Sequence, residues 1–258
     1  MNVIFKVPEE SSNYSQHSAF IVSKVSSIIQ TSIETKNNLI FIYTNLKRGL
    51  PLENINKVAG PFVEAWTLEQ FENIADDMSN EYQLIHAQAG KRLDAFDIVL
   101  QFRYKRDSLS YLSANIDAKA TAEDIQTSGR SPNITSFARI RTAYIKDPDF
   151  LFIVLSLKHK VYGERDTTTG MTNGIMEVVS QATYDLKYVS AEDLNYNRAL
   201  GTGQLQIRDI HYVKIVPQRT TWEFLQLLDR KFIQSKGEKA WLELAKKYKW
   251  TKEANDAI

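Results

Sequence analysis

The sequence predicts an α/β fold in which a mixed central β-sheet is flanked by helices. Three patterns predict it: a nearly continuous apolar run of strand length at 150–157, two strand-like runs at 96–103 and 109–120 that read as a hairpin, and helical apolar spacings toward both ends of the chain. With 258 residues, 43% of them hydrophobic and with aromatics throughout, the chain has enough apolar material for a sizeable core.

Taken in order, Ile21, Val25, Ile28 and Ile29 fall on one helical face, which predicts a helix over 18–33 that Asn37-Asn38 ends. The short apolar run 39–43 suits a buried strand, although its length alone leaves other states open. Gly60-Pro61 opens a helix whose apolar face is Val63, Thr67, Phe71, Ile74 and Met78, with Glu64 beside that face. The hairpin strands follow, joined by the polar turn Lys105-Arg106-Asp107-Ser108. Ser131-Pro132 reads as an N-cap followed by proline at the first helical position, giving a helix over 132–146 that carries Arg139 and Arg141 and stops at Asp147-Pro148. The run 150–157 is a central strand covered on both faces. Further strands are expected over 183–189 and 207–216, with a polar loop between them at Asn195-Tyr196-Asn197-Arg198 and Gly201-Thr202-Gly203. Thr220-Thr221-Trp222-Glu223 is a capping box opening a helix on Leu225, Leu228 and Phe232. After Gly237, Trp241, Leu244, Ala245 and Tyr248 mark the buried stripe of a last helix. No repeat or long polar linker interrupts the chain, so 1–258 reads as one domain.

Composition narrows the function classes. The chain has no apolar run of about 18 residues, and Met1-Asn2-Val3-Ile4-Phe5-Lys6 lacks a secretory pattern, so a soluble cytoplasmic protein with no membrane partner is expected. Zero cysteines exclude disulfides and thiolate ligands, and the four histidines are scattered, so structural zinc is not expected. The net charge of +1 hides an asymmetry: 53–81 holds one base and seven acids, or −6, whereas 130–160 holds six bases and two acids, or +4. Such a local basic stretch can serve phosphate, although a solvated helix face gives the same count. Gly201 and Gly203 are read as backbone shape, with no nucleotide cofactor.

The chemistry concentrates at Asp97 and at Asp117-Ala118-Lys119. Two carboxylates at adjacent strand ends can hold a hard divalent cation through oxygen, and a lysine two residues beyond the second projects from the same strand face. Cation and ammonium then share one phosphate. The same acid-any-lysine pattern recurs at Glu34-Thr35-Lys36, Asp185-Leu186-Lys187 and Asp229-Arg230-Lys231, so the triplet alone is a poor signal, and Asp117 is the one with an upstream strand acid.

The run Asp117-Ala118-Lys119-Ala120-Thr121 with Ser128-Gly129-Arg130-Ser131-Pro132-Asn133-Ile134-Thr135-Ser136 resembles type II restriction endonucleases of the PD-(D/E)XK superfamily. The likeness extends over Thr44-Asn45-Leu46-Lys47, the stretch 49–57, Arg139-Ile140-Arg141-Thr142-Ala143-Tyr144 and Ala199-Leu200-Gly201-Thr202-Gly203-Gln204. It implies a restriction-endonuclease-like core and a homodimer that makes Mg2+-dependent cuts in both strands of double-stranded DNA. The implied site is a short palindrome of the GTTAAC kind, cut to blunt ends with 5′-phosphates. By this resemblance Asp97, Asp117 and the Ala118 carbonyl hold Mg2+, Lys119 positions or activates water, and Glu64 is a helix acid near the site that is matched equally well by an exposed helix residue. Arg130, Asn133, Arg139, Arg141, Asn197 and Gln204 become candidate DNA contacts. Arg130 departs from the glutamine that relatives carry near that position, so an inserting glutamine does not transfer. Asn197 resembles a base-reading asparagine, and as an isolated residue it is equally a turn former. Two other classes share parts of this pattern: a DNA-binding module on an inactive nuclease core, and a repair or junction nuclease.

Overall fold

The computed structural model describes residues 4–91, 94–104, 111–123, 132–199 and 201–252. In chain order its elements are β1 (Ile4–Phe5), α1 (Tyr14–Glu34), β2 (Leu39–Ile42), α2 (Leu52–Lys57), α3 (Ala59–Ala75), β3 (Leu84–Ala89), β4 (Ile98–Arg103), β5 (Tyr111–Ala122), β6 (Asn133–Ser136), α4 (Phe137–Lys146), β7 (Leu151–Arg165), β8 (Thr172–Asp185), a 3-10 turn (Leu186–Tyr188), β9 (Leu194–Asn197), β10 (Gln204–Ile207), α5 (Thr221–Lys236), α6 (Glu238–Lys247) and β11 (Thr251–Lys252). They form two compact units, Ala19–Gly129 with Ile153–Tyr184, and Met1–Ser18 with Arg130–Phe152 and Asp185–Ile258.

The first unit is built on a six-stranded sheet of order β2-β8-β7-β5-β4-β3. Along β4, Ile98, Leu100 and Phe102 are buried and alternate with part-exposed residues, the period of a strand with one face on the core. β4 pairs antiparallel with β5, Ile98 opposite Ile116 and Leu100 opposite Ala114, so these apolar side chains share a face. α1 covers that face with Ile21, Val25, Ile28 and Ile29, and Phe20 meets Phe102 edge-on at 6.2 Å. α3 packs on β3 and β5 through Val63, Trp66, Thr67 and Phe71. With both faces covered, the middle of β5 from Ala114 to Ala118 is buried throughout.

The second unit carries the sheet β6-β10-β9, the pair β1-β11 and helices α4, α5 and α6. Phe137 at the start of α4 anchors its core, stacked on Phe232 at 4.7 Å and edge-on to Trp250 at 5.8 Å. Thr220 caps α5 through a capping box in which Glu223 reaches back to the cap nitrogen, as the sequence predicts. Gly237, at φ 86°, turns the chain into α6, where Trp241 and Ala245 are buried.

Several expectations are corrected. Asn133–Ser136, expected as the first turn of a helix, is strand β6, because pairing with β10 buries Ile134 and Thr135, and the helix starts at Phe137. Of the polar loop expected over 195–203, Asn195 to Asn197 belong to strand β9, and the described residues after them form the turn to β10, while the strand expected over 207–216 ends at Ile207. The strand expected over 183–189 is the end of β8 followed by the 3-10 turn. β2 is a strand, but an edge strand with Leu39 and Phe41 exposed, not a buried one. α3 stops before Met78, which is 68% exposed. The turn 105–108 and the cap residue Ser131 lie outside the described residues.

Candidate active site

β4 and β5 assemble the site. Asp97 directly precedes β4, and its backbone N–H donates to the Ile116 carbonyl at 2.8 Å, which brings it alongside the Asp117 segment. Gly90 makes this approach possible: its N–H donates to the Asp97 carbonyl, and a Cβ there would lie 2.6 Å from the Phe96 carbonyl oxygen. Asp97 Oδ2 accepts the Ala118 N–H at 2.9 Å, so the carboxylate is aimed by the neighbouring strand.

Asp117 and Lys119, two apart on β5, project to the same face. Lys119 Nζ is 2.8 Å from Asp117 Oδ1, 3.5 Å from Asp97 Oδ2 and 3.3 Å from the Ala118 carbonyl oxygen. The two acids and the amine expected from the sequence converge, all within one unit. Asp117 is almost wholly buried, and its Oδ2 has no hydrogen-bond partner. Burial, only partly offset by Lys119 and reinforced by Asp97 and Glu64, pushes its carboxyl up to about 8. Burial works against the Lys119 charge, but Asp117, Asp97 and Glu64 outweigh it and raise its pKa. Glu64 stands part-exposed on α3, and burial together with Asp97 raises its carboxyl.

The residues present fit a hard divalent cation. Three mutually interacting carboxylates against one ammonium leave 1 less 3, or −2, when all are ionised. A buried carboxylate oxygen without a donor and the Ala118 carbonyl supply hard oxygen ligands. Among the described residues no group of three or more His, Cys, Asp or Glu is drawn together at ligand spacing.

The competing triplets have structural uses. Asp185 accepts from Tyr14 Oη at 2.9 Å and Ser18 Oγ at 2.7 Å, while Lys187 pairs with Glu10. Asp229 pairs with Arg141, and Glu34 ends α1, accepting from Gln30.

The candidate DNA contacts divide. Asn133, Asn197 and Gln204 are brought together on the β6-β10-β9 sheet, with Gln204 directly opposite Asn197. The Asn197 Oδ1 also accepts from Ala199 N at 2.9 Å, the turn-forming contact open to such a residue. Arg139 is exposed on α4. Arg141 is fully buried, fork-bonded to Asp229 at 2.7 and 2.8 Å and 4.3 Å over the Trp250 ring, so its guanidinium braces the second unit. Arg130 lies outside the described residues.

Residues 1–249 match the family model for the type II restriction endonuclease HpaI. The chain is 51% identical over 224 residues to the type II restriction enzyme HpaI of Haemophilus parainfluenzae, covering 87% of each protein. Among solved structures it is similar to the NlaIV restriction endonuclease at 12% identity with a TM-score of 0.41, covering 76% of this chain and 77% of that one. No helix among the described residues is long and apolar enough to cross a membrane. With its carboxylate pair and lysine assembled on two neighbouring strands and the family match running nearly end to end, the chain belongs to the HpaI family of type II restriction endonucleases.

Proposed function

We propose that this chain is a cytoplasmic, homodimeric, Mg2+-dependent endonuclease that cuts both strands of a short DNA palindrome, GTTAAC, to blunt ends bearing 5′-phosphates. The observation that carries the reading is the convergence of Asp97, just before β4, with Asp117 and Lys119 on one face of β5, where Asp117 Oδ2 has no hydrogen-bond partner. Asp97, Asp117 and the Ala118 carbonyl would hold the Mg2+. When bound, the ion supplies Lewis-acid polarisation of the phosphate and neutralises charge that builds up there.

The remaining work falls to the chain. Lys119, kept protonated by three surrounding acids, is a donor that fixes the orientation of phosphate and water and balances the developing negative charge. Glu64 has a raised pKa, which makes it a better proton acceptor than an ordinary surface carboxylate for the attacking water. Water attacks phosphorus in line, the bond to the 3′ oxygen breaks, and that oxygen leaves as a hydroxyl while the phosphate stays on the 5′ side. Asn133, Asn197, Gln204, Arg139 and Arg130 are assigned to the DNA.

Two further features support the reading as one domain and a dimer. The chain passes between its two units at 18/19, 129/130, 152/153 and 184/185, so we treat 1–258 as a single restriction-endonuclease domain. Among the described residues, seven of the fourteen exposed large apolar side chains fall within 39–62, on and after edge strand β2, a concentration suited to a subunit interface. A duplex has two scissile phosphates and each chain one site, so a two-fold pair matches a two-fold target.

A supercoiled-plasmid digest with Mg2+ and with EDTA, followed by mapping of the fragment ends, tests the proposal. A discrete ladder with blunt ends at one palindrome, lost in EDTA, is expected. An intact plasmid with a shifted gel band would mean a binding module, and cleavage without a reproducible ladder would mean a repair or junction nuclease.

A further inference from the structure

Asn195, Asn197, Gln204 and Gln206 stand at alternate positions on two paired strands. In the β9-β10 hairpin Gln204 lies opposite Asn197, Leu205 opposite Tyr196 and Gln206 opposite Asn195. Directly opposed residues share a face, as does every second residue along a strand, so the four carboxamides lie on one side. Leu194, Leu205 and Ile207 are fully buried on the other. β6 extends the polar side, with Asn133 opposite Gln206, and Gln206 Nε2 donates to Asn133 Oδ1 at 3.0 Å. All four are part-exposed and Asn133 is exposed. Asparagine is disfavoured in strands, so sheet formation gives no reason for this composition.

A carboxamide offers a donor and an acceptor side by side. That matches adenine, whose major-groove edge presents the N7 acceptor beside the N6 donor, and it mismatches guanine, which presents two acceptors. A phosphate-binding surface would call for arginine or lysine instead. A major groove about 12 Å wide admits a two-stranded ribbon, and here the four-residue β6 adds a short third strand beside β10.

We propose that the carboxamide face of the β9-β10 hairpin reads adenine in the major groove. Gln206, its amide plane held by Asn133, and Asn195 beside it pair with adenine N6 and N7, next to Gln204 and Asn197. Neither Gln206 nor Asn195 stands out in the sequence, because only the strand register brings them together. The inference rests on the DNA-endonuclease reading above.

The test uses duplexes containing the mapped site, GTTAAC or another, in which one adenine at a time is replaced by 7-deazaadenine, which lacks only the N7 acceptor. Binding and cleavage are measured on each duplex for the wild type, Gln206→Met and Asn195→Ala, with circular dichroism to confirm folding. The wild type is expected to lose roughly 10-fold or more at a contacted adenine. Each variant should lose a similar factor on the unmodified duplex and then be indifferent to the replacement at one adenine. Either variant showing this pattern supports the proposal. It is overturned when neither does, when the mapped site contains no A·T pair, or when the wild type is insensitive at every adenine. A wild type that binds the duplex with 7-deaza sensitivity but never cuts it would instead sink the nuclease reading and leave the reader standing.

Discussion

Asp117 is a buried carboxyl beside an ammonium and two other acids. Its folded pKa of about 8 lies above the unfolded value of 3.8, so the native state keeps a proton that the unfolded chain has already lost. The metal-free protein is therefore most stable below pH 4 as far as this group is concerned, and it loses stability as pH rises through 8, by at most about 1.4 kcal/mol per pH unit. Melting curves in EDTA should show Tm falling across this window, with the slope flattened in Asp117→Asn. Added Mg2+ should raise Tm more at pH 8 than at pH 6, because binding needs the ionised carboxylate. A pH-independent Tm in EDTA would remove this view of Asp117. Arg141 has a different role. Arg141→Ala leaves the Asp229 carboxylate without its main partner, a loss of about 3–5 kcal/mol for a buried pair. Arg141→Lys should also destabilise, since a lysine cannot reproduce the two-pronged contact. Urea unfolding measures both, and a near-neutral Arg141→Ala would contradict the bracing role.

The elements that position the site are β4, β5 and the segment around Gly90. An added methyl in Gly90→Ala would press on the Phe96 carbonyl at 2.6 Å and displace Asp97. Cleavage is expected to fall on the order of 100-fold, as for a misplacement of about 1 Å, with DNA binding nearly unchanged. Unaltered cleavage would show that Asp97 tolerates the shift. Phe71 on α3 is fully buried, and Phe71→Ala should cost about 3–5 kcal/mol in urea unfolding. The elements α1, α3, β4, β5, α5 and α6 are legible in the sequence because each repeats its apolar period, and the first half of β7 because its apolar run is continuous, whereas β8, for all its length, shows itself only at its end. The site is legible for the same reason, since a two-residue period puts Asp117 and Lys119 on one face. Short elements are not. β3 is as long as β4 but buries only Leu84, so it shows no apolar alternation, and α2 is too short to show a period. Pro132 reads as a helix start, yet pairing with β10 makes the next four residues a strand, so tertiary contacts override the local signal. The amide face and the buried Arg141 depend on register and packing, which no spacing rule supplies.

At the scale of the whole molecule, β2 is an edge strand whose residues Leu39-Ile40-Phe41-Ile42 include no charge or proline of the kind that usually protects an edge. Its Phe41 ring stacks on that of Tyr43, and both are exposed. We expect a dimer by sedimentation at micromolar concentration, converted to monomer by Phe41→Glu. Because the chain has no cysteine, Tyr43→Cys gives a clean second readout: oxidation should cross-link two chains, whereas Met78→Cys, equally exposed on the surface, should not. A dimer that survives Phe41→Glu and gives no cross-link through Tyr43→Cys would place the interface elsewhere.

We propose that Asp97, Asp117 and Lys119 act together on one scissile phosphate. Single-turnover cleavage of a one-site duplex, measured beside binding to the same duplex for the wild type and Lys119→Ala, tests it most directly. Specific binding within a few-fold of wild type and a cleavage rate reduced by at least about 100-fold are expected. Cleavage by Lys119→Ala at the wild-type rate would contradict it.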